Sequence, residues 1–109
     1  MKLLIVGFND YNVLDKELSK LIVGRQLFLF TVICGGTDKE KKGTSLGEQW
    51  AAANGAPIEY LFCENPEMLL DRMAQTADYI LADLSNGNQF VRRIVMKMRS
   101  MGKHGTIRR

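Results

Sequence analysis

The sequence holds one histidine, two cysteines and two prolines, and no long apolar run. Each scarcity closes a class of function. With His104 alone, a three-histidine metal site is excluded, and no Cys–His pairing is evident for nucleophilic catalysis. Cys34 and Cys63 lack a CxxC spacing, so they make neither a disulfide framework nor a zinc ligand set. Both read as reduced packing thiols at the ends of neighbouring strands, which places the chain in the cytoplasm. The opening run Leu3-Leu4-Ile5-Val6 meets Gly7, Asn9 and Asp10, which suits a buried first strand better than a signal peptide. Nothing approaches the roughly 18 apolar residues of a membrane span, so no membrane partner is expected. The order G-x-x-x-x-G-K-[ST] is absent, because Lys41 and Lys42 precede Gly43. Gly7-Phe8-Asn9-Asp10 also lacks G-x-G-x-x-G, which disfavours a nucleoside triphosphatase and the usual dinucleotide site. No metal or other cofactor is expected.

What remains is a 109-residue chain, 46% hydrophobic and 25% charged, enough to fold one domain around a real core. Its organising stretch is residues 28–54. A strand-like run to Cys34 ends at Gly35-Gly36. A polar connection follows, and residues 44–53 then read as a helix that stops at Asn54-Gly55. The same alternation runs through the whole chain. Strands are predicted near residues 2–6, 27–34, 57–63 and 78–82, with a short fifth around Ile107. The first helix has Asn12 as its expected cap and Leu14, Leu18, Leu21 and Ile22 as its buried stripe. The second has Ser45 or Thr44 as cap and Leu46, Trp50 and Ala53 as apolar side. The third starts at Asn65-Pro66-Glu67, with Pro66 at its first position. The fourth covers residues 89–101, with Phe90, Ile94, Met98 and Met101 turned inward. Alternating strands and helices imply a three-layer α/β sandwich with a parallel sheet of four or five strands.

In such sheets ligands gather beyond the carboxyl ends of the strands. Four loops qualify: residues 7–12, 35–45, 63–65 and 83–88. They bring Gly7, Asn9, Gly35, Gly36, Thr37, Thr44, Ser45, Asn65, Ser85, Asn86, Gly87 and Asn88 to one edge as candidate ligand-binding residues. Gly35 and Gly36 would let backbone donors approach an anion, or serve only a tight turn. The run Asp38-Lys39-Glu40-Lys41-Lys42 reads as a solvated loop or as a flap hinged at Gly43. Asp10, Asp38 and Glu48 are the candidate catalytic carboxylates, although Glu48 also suits a capping partner.

The formal charge of +3 is unevenly spread. Residues 59–83 carry six acids against Arg72, whereas residues 88–109 carry Arg92, Arg93, Lys97, Arg99, Lys103, Arg108, Arg109 and no acid. That basic end motivates a nucleic-acid reading, which the lack of an aromatic stacking platform weakens. His104 there reads as ordinary surface in a frayed tail. Apolar residues on more than one side of the last helix also suggest a homodimer.

Several of these motifs together resemble the SLOG (SMF/LOG-like) superfamily, most closely its small bacterial and phage proteins of unknown function. Residues 3–11 look like that superfamily's first strand and Gly-Ser-Arg-Asp/Glu-Tyr loop. Val32-Ile33-Cys34-Gly35-Gly36 is similar to its second strand and Gly-Gly, and Ser45-Leu46-Gly47-Glu48-Gln49-Trp50-Ala51 to its Asp-x-x-Ala-x-x-Trp-Ala helix. Asn65-Pro66-Glu67-Met68 resembles its Arg-Asn-x-x-Met element, and residues 77–82 its next strand. Asn9 and Glu64 stand where the family has Arg, Ser45 where it has Asp, and Asn86-Gly87-Asn88 in place of a Gly-Gly-Thr loop. The resemblance implies a Rossmann-like fold with strand order 3-2-1-4-5. It also implies a nucleotide or nucleotide-derived ligand, with N-glycosidic hydrolysis as the first reaction to consider. The substituted positions imply weak phosphate binding or a changed ligand. A non-catalytic protein-interaction domain, in a phage or bacterial setting, is the competing expectation.

Overall fold

Strand and helix alternate along the described chain, and each boundary has a local cause. The computed structural model describes residues 1–22, 30–37 and 45–109. The elements are β1 (Lys2–Val6), α1 (Tyr11–Leu21), β2 (Thr31–Gly36), α2 (Leu46–Asn54), β3 (Ile58–Phe62), α3 (Pro66–Thr76), β4 (Tyr79–Asp83), α4 (Gln89–Ser100) and β5 (His104–Arg108). All neighbouring strands pair in parallel, in the order β3-β2-β1-β4-β5. The expected three-layer sandwich and its strand order are therefore present, with five strands rather than four.

Alternation along β1 divides the core. Leu3 joins Leu14 and Leu18 of α1 and Trp50 and Ala51 of α2 on one face. Leu4 joins Leu69, Leu70 and Met73 of α3 and Val91, Ile94 and Met98 of α4 on the other. Successive side chains of a strand point to opposite faces, so a central strand covered on both sides must be apolar throughout.

The helix starts follow capping chemistry. The Asp10 carboxylate, not Asn12, caps α1, accepting from the Asn12 and Val13 N–H groups at 2.9 and 3.3 Å. Ser45 caps α2, Asn65 caps α3 with Pro66 in the first turn, and Asn88 caps α4. Each cap satisfies part of the four donors that a helix start leaves open.

Other expectations change. β2 ends at Gly36 rather than Cys34, and its two glycines pair with Leu61 and Phe62 of β3. The expected strand start at residues 27–29 lies outside the described residues. The buried side of α2 is Gly47, Glu48, Trp50 and Ala51, while Ala53 is exposed. A Cβ at Gly47 would stand 3.1 Å from Ile5 Cβ, so this glycine lets the helix sit close to β1. Met101 is exposed rather than inward-facing. The basic tail is no frayed end: residues 104–108 form the edge strand β5, with the exposed His104 beside Tyr79 of β4.

Candidate functional site

Parallel pairing puts the ends of β1, β2 and β4 at one edge of the sheet, beside the switch of direction between β1 and β4. A cleft of about 360 Å³ opens there. Its polar rim is Gly7, Gly35, Gly36, Thr37, Ser45 and Asn88, and its apolar wall includes Leu4, Val6, Ile33, Leu69, Met73 and Phe90. Pro66 also lines it, so the first residues or caps of α2, α3 and α4 all reach the cleft. Helix starts carry partial positive charge and unsatisfied N–H groups.

The rim is built by side chains that fix one another. Asn88 Oδ1 accepts from Phe90 and Val91 N–H at 2.9 and 3.3 Å. Asn86 Nδ2 donates to the Gly7 carbonyl at 2.8 Å, and Asn9 Nδ2 donates to Asn86 Oδ1 at 3.3 Å. These two bonds join the first and fourth loops. Gly7 has φ +86°, and a Cβ there would fall 2.3 Å from the Asp83 carbonyl, so only glycine lets β1 leave the sheet against β4.

Gly35 and Gly36 have different reasons to be glycine. At Gly35, φ is +155° and a Cβ would lie 1.7 Å from the Leu61 carbonyl oxygen of β3. At Gly36 a Cβ would meet no atom of the described residues within 4 Å. Gly35 is thus required by strand pairing, whereas Gly36 leaves the rim unobstructed.

Beside β4, buried Asp83 accepts from Ser85 N–H at 2.9 Å, Ser85 Oγ at 2.6 Å and Arg108 Nη1 at 3.1 Å. Burial acts to raise its carboxyl, but the Ser85 and Arg108 contacts outweigh it and hold the group below its ordinary range. Ser85 is therefore committed to this network, and Gly87 turns the loop at φ +67°. Asn65 spends its side-chain oxygen on Glu67 and Met68 N–H of α3.

Of the carboxylates proposed from the sequence, the two that are described, Asp10 and Glu48, do not line the cleft. Asp10 caps α1. Glu48 is buried beneath α2 and accepts from the Tyr60 hydroxyl, which that bond pushes up to about 12. Asp38 and Thr44 lie outside the described residues. Among the described residues, no acidic or basic side chain lines the cleft. Cys34 does line it. Burial, then the nearby Glu48 carboxylate, pushes its thiol up to about 11 against a hydrogen bond with Ser45. A thiol so shifted stays neutral near pH 7 and offers a weak donor rather than a nucleophile. Among the described residues, no group of His, Cys, Asp and Glu is placed to hold a metal ion.

The apolar wall was not anticipated from sequence. Leu69, Met73 and Phe90 carry helical core spacing, and only the packing of α3 and α4 against the sheet brings them to the cleft.

Comparisons with protein-family models, with curated proteins and with solved structures return no match. The class supported by the coordinates is therefore an all-parallel, Rossmann-like α/β sandwich with a cleft at its strand ends. No described helix is long and apolar enough to cross a membrane.

Proposed function

We propose that the cleft binds a nucleotide or nucleotide-derived small molecule, of the kind that the SLOG resemblance implies. The observation that carries this reading is the meeting of three helix starts with the ends of β1 and β2 around one cleft. A phosphate would face backbone donors and helix dipoles at Gly36, Ser45 and Asn88. A base or sugar would lie on Leu69, Met73 and Phe90. The volume of about 360 Å³ is near the small end of the ~300–1,000 Å³ range of ligand pockets, which favours a mononucleotide over a dinucleotide. With no cationic side chain in the described lining, affinity should depend only weakly on salt.

The reading is one of binding. N-glycosidic cleavage would need a carboxylate close to the reacting centre; of the three candidates Asp10 and Glu48 hold other partners, and Asp38 lies outside the described residues. The test is a ligand-observed NMR screen of nucleoside monophosphates, cyclic nucleotides, dinucleotides and ADP-ribose, with product analysis of any hit. Specific binding of a monophosphate, abolished by Gly36→Val in a protein that still unfolds at the wild-type temperature, is expected. No binding across that panel at millimolar ligand, or equal binding by the variant, defeats the proposal.

A further inference from the structure

The outer surface of α4 carries two cationic stripes with different surroundings. Arg93 and Lys97, four residues apart, face α3. Arg93 pairs with Glu67 at 2.5 Å, and Lys97 with Asp71 at 3.6 Å. The acids are themselves four residues apart, so one acidic helix is matched turn by turn to one basic stripe. The second stripe turns away from α3. Arg92, Met96 and Arg99 recur at helical spacing, and Arg109 approaches from beyond β5. Together with Leu84 and Val95 they line a groove of about 390 Å³. The three guanidiniums are exposed and make no hydrogen bond or ion pair with other described residues. Met96 is 69% exposed, the most exposed large apolar side chain among the described residues.

We infer that this groove is a docking surface for an acidic amphipathic helix of a protein partner. Such a helix would sit on the free side of α4 as α3 sits on the other, with carboxylates on Arg92, Arg99 and Arg109 and an apolar side chain on Met96 and Val95. Arginine forks take carboxylates in two-point contacts, and methionine adapts its shape to an incoming apolar group. The apolar floor separates this occupant from nucleic acid, whose phosphates have no use for it. Among the described residues, no aromatic lines the groove on which a base could stack. The groove lies along α4 between Leu84 and Arg109 and shares no lining residue with the cleft proposed for a nucleotide, so the two proposals stand or fall separately.

The experiment follows amide shifts of the isotope-labelled full chain during titration with a synthetic helical peptide. The peptide carries glutamates and leucines on adjoining faces. Its controls are the same peptide with glutamine for glutamate, and single- and double-stranded oligonucleotides. Expected are shifts confined to residues 84, 92–99 and 105–109. Binding should weaken about tenfold with the glutamine peptide and with Arg92→Glu/Arg99→Glu, as loss of charged interface pairs predicts. Met96→Asp should weaken it comparably by removing the apolar contact. All these positions are exposed, and unchanged thermal unfolding verifies that the variants fold. The inference is overturned if the peptide produces no shifts, produces them elsewhere, or binds the charge-reversed variant equally well. Tighter binding of an oligonucleotide at the same residues overturns it in favour of a nucleic-acid surface. Concentration-dependent shifts there without any ligand overturn it in favour of a second copy of the chain.

Discussion

Gly35 and Gly36 are adjacent and chemically identical, yet adding one methyl group to each should have opposite consequences. In Gly35→Ala the new Cβ would lie 1.7 Å from the Leu61 carbonyl oxygen and 2.7 Å from its carbon. Those atoms belong to the backbone of β3, so they cannot turn aside as a flexible side chain would. Relief requires β2 to leave its positive-φ conformation, at a cost of about 1–3 kcal/mol for strained backbone. It also weakens one or two bonds of the β2–β3 ladder, at about 0.5–1.5 kcal/mol each. The sum is about 1.5–6 kcal/mol. At roughly 4–8 °C per kcal/mol for a domain near this size, Tm should fall by at least about 6 °C. In Gly36→Ala the Cβ meets no described atom within 4 Å, and Tm should move by less than about 3 °C. Trp50, the only tryptophan and 3% exposed, gives the fluorescence signal for both melts. Equal losses in the two variants, or a neutral Gly35→Ala, would refute the division of this pair into a pairing glycine and a rim glycine.

Two further predictions concern charge. Asp83 has a lowered folded-state pKa, so its stabilisation is present at neutral pH and is lost as pH falls through that value. Arg108→Gln should therefore cost about 1 kcal/mol near pH 7, discounted because Arg108 is 40% exposed, and the gap from wild type should close in acid below the usual carboxylate range; a gap independent of pH would contradict the pairing. Among three tyrosines, Tyr60 should titrate near 12 by ultraviolet absorbance, and Glu48→Gln should return it toward 10.0. An unshifted Tyr60 in the wild-type protein would show that the Tyr60–Glu48 bond does not form in solution.

The layering was legible because its signals are local. Leu3 to Val6 reads as a strand buried on both faces, and Asn65-Pro66 marks a helix start wherever it occurs in such a chain. The helix caps were legible as a residue class but not always as a position: Asp10 and Asn12 both suit a cap, and the structure has Asp10 in that place. The pairing role of Gly35 was not legible, because the atom that forbids a side chain belongs to Leu61, on another strand. Glu48 shows the same limit. At three residues beyond Ser45 it reads as a capping partner or a catalytic acid, whereas its burial against Tyr60 depends on the packing of α2 over β3. Gly7, Gly35, Gly36, Thr37, Ser45 and Asn88 of the cleft's rim stand among the loop residues named from the sequence, whereas Asn9, Asn65, Ser85, Asn86 and Gly87 do not line it. The cleft's apolar wall was not legible, since Leu69, Met73 and Phe90 have the spacing of ordinary core residues until two helices are placed over the sheet.

The central position of β1 has a consequence for synthesis. β1 is completed by β2 on one side and by β4 on the other, and β4 comes more than seventy residues later in the chain. A growing polypeptide can assemble β1, β2 and β3 into a partial sheet while the far side of β1 still shows open backbone donors and acceptors. Leu4 and Val6 then also lack the cover that α4 provides. Exposed strand edges of this kind recruit other chains. At roughly 5–20 residues per second on the ribosome, this nascent edge persists for seconds, ample time for a chaperone to cover it or a neighbouring nascent chain to capture it.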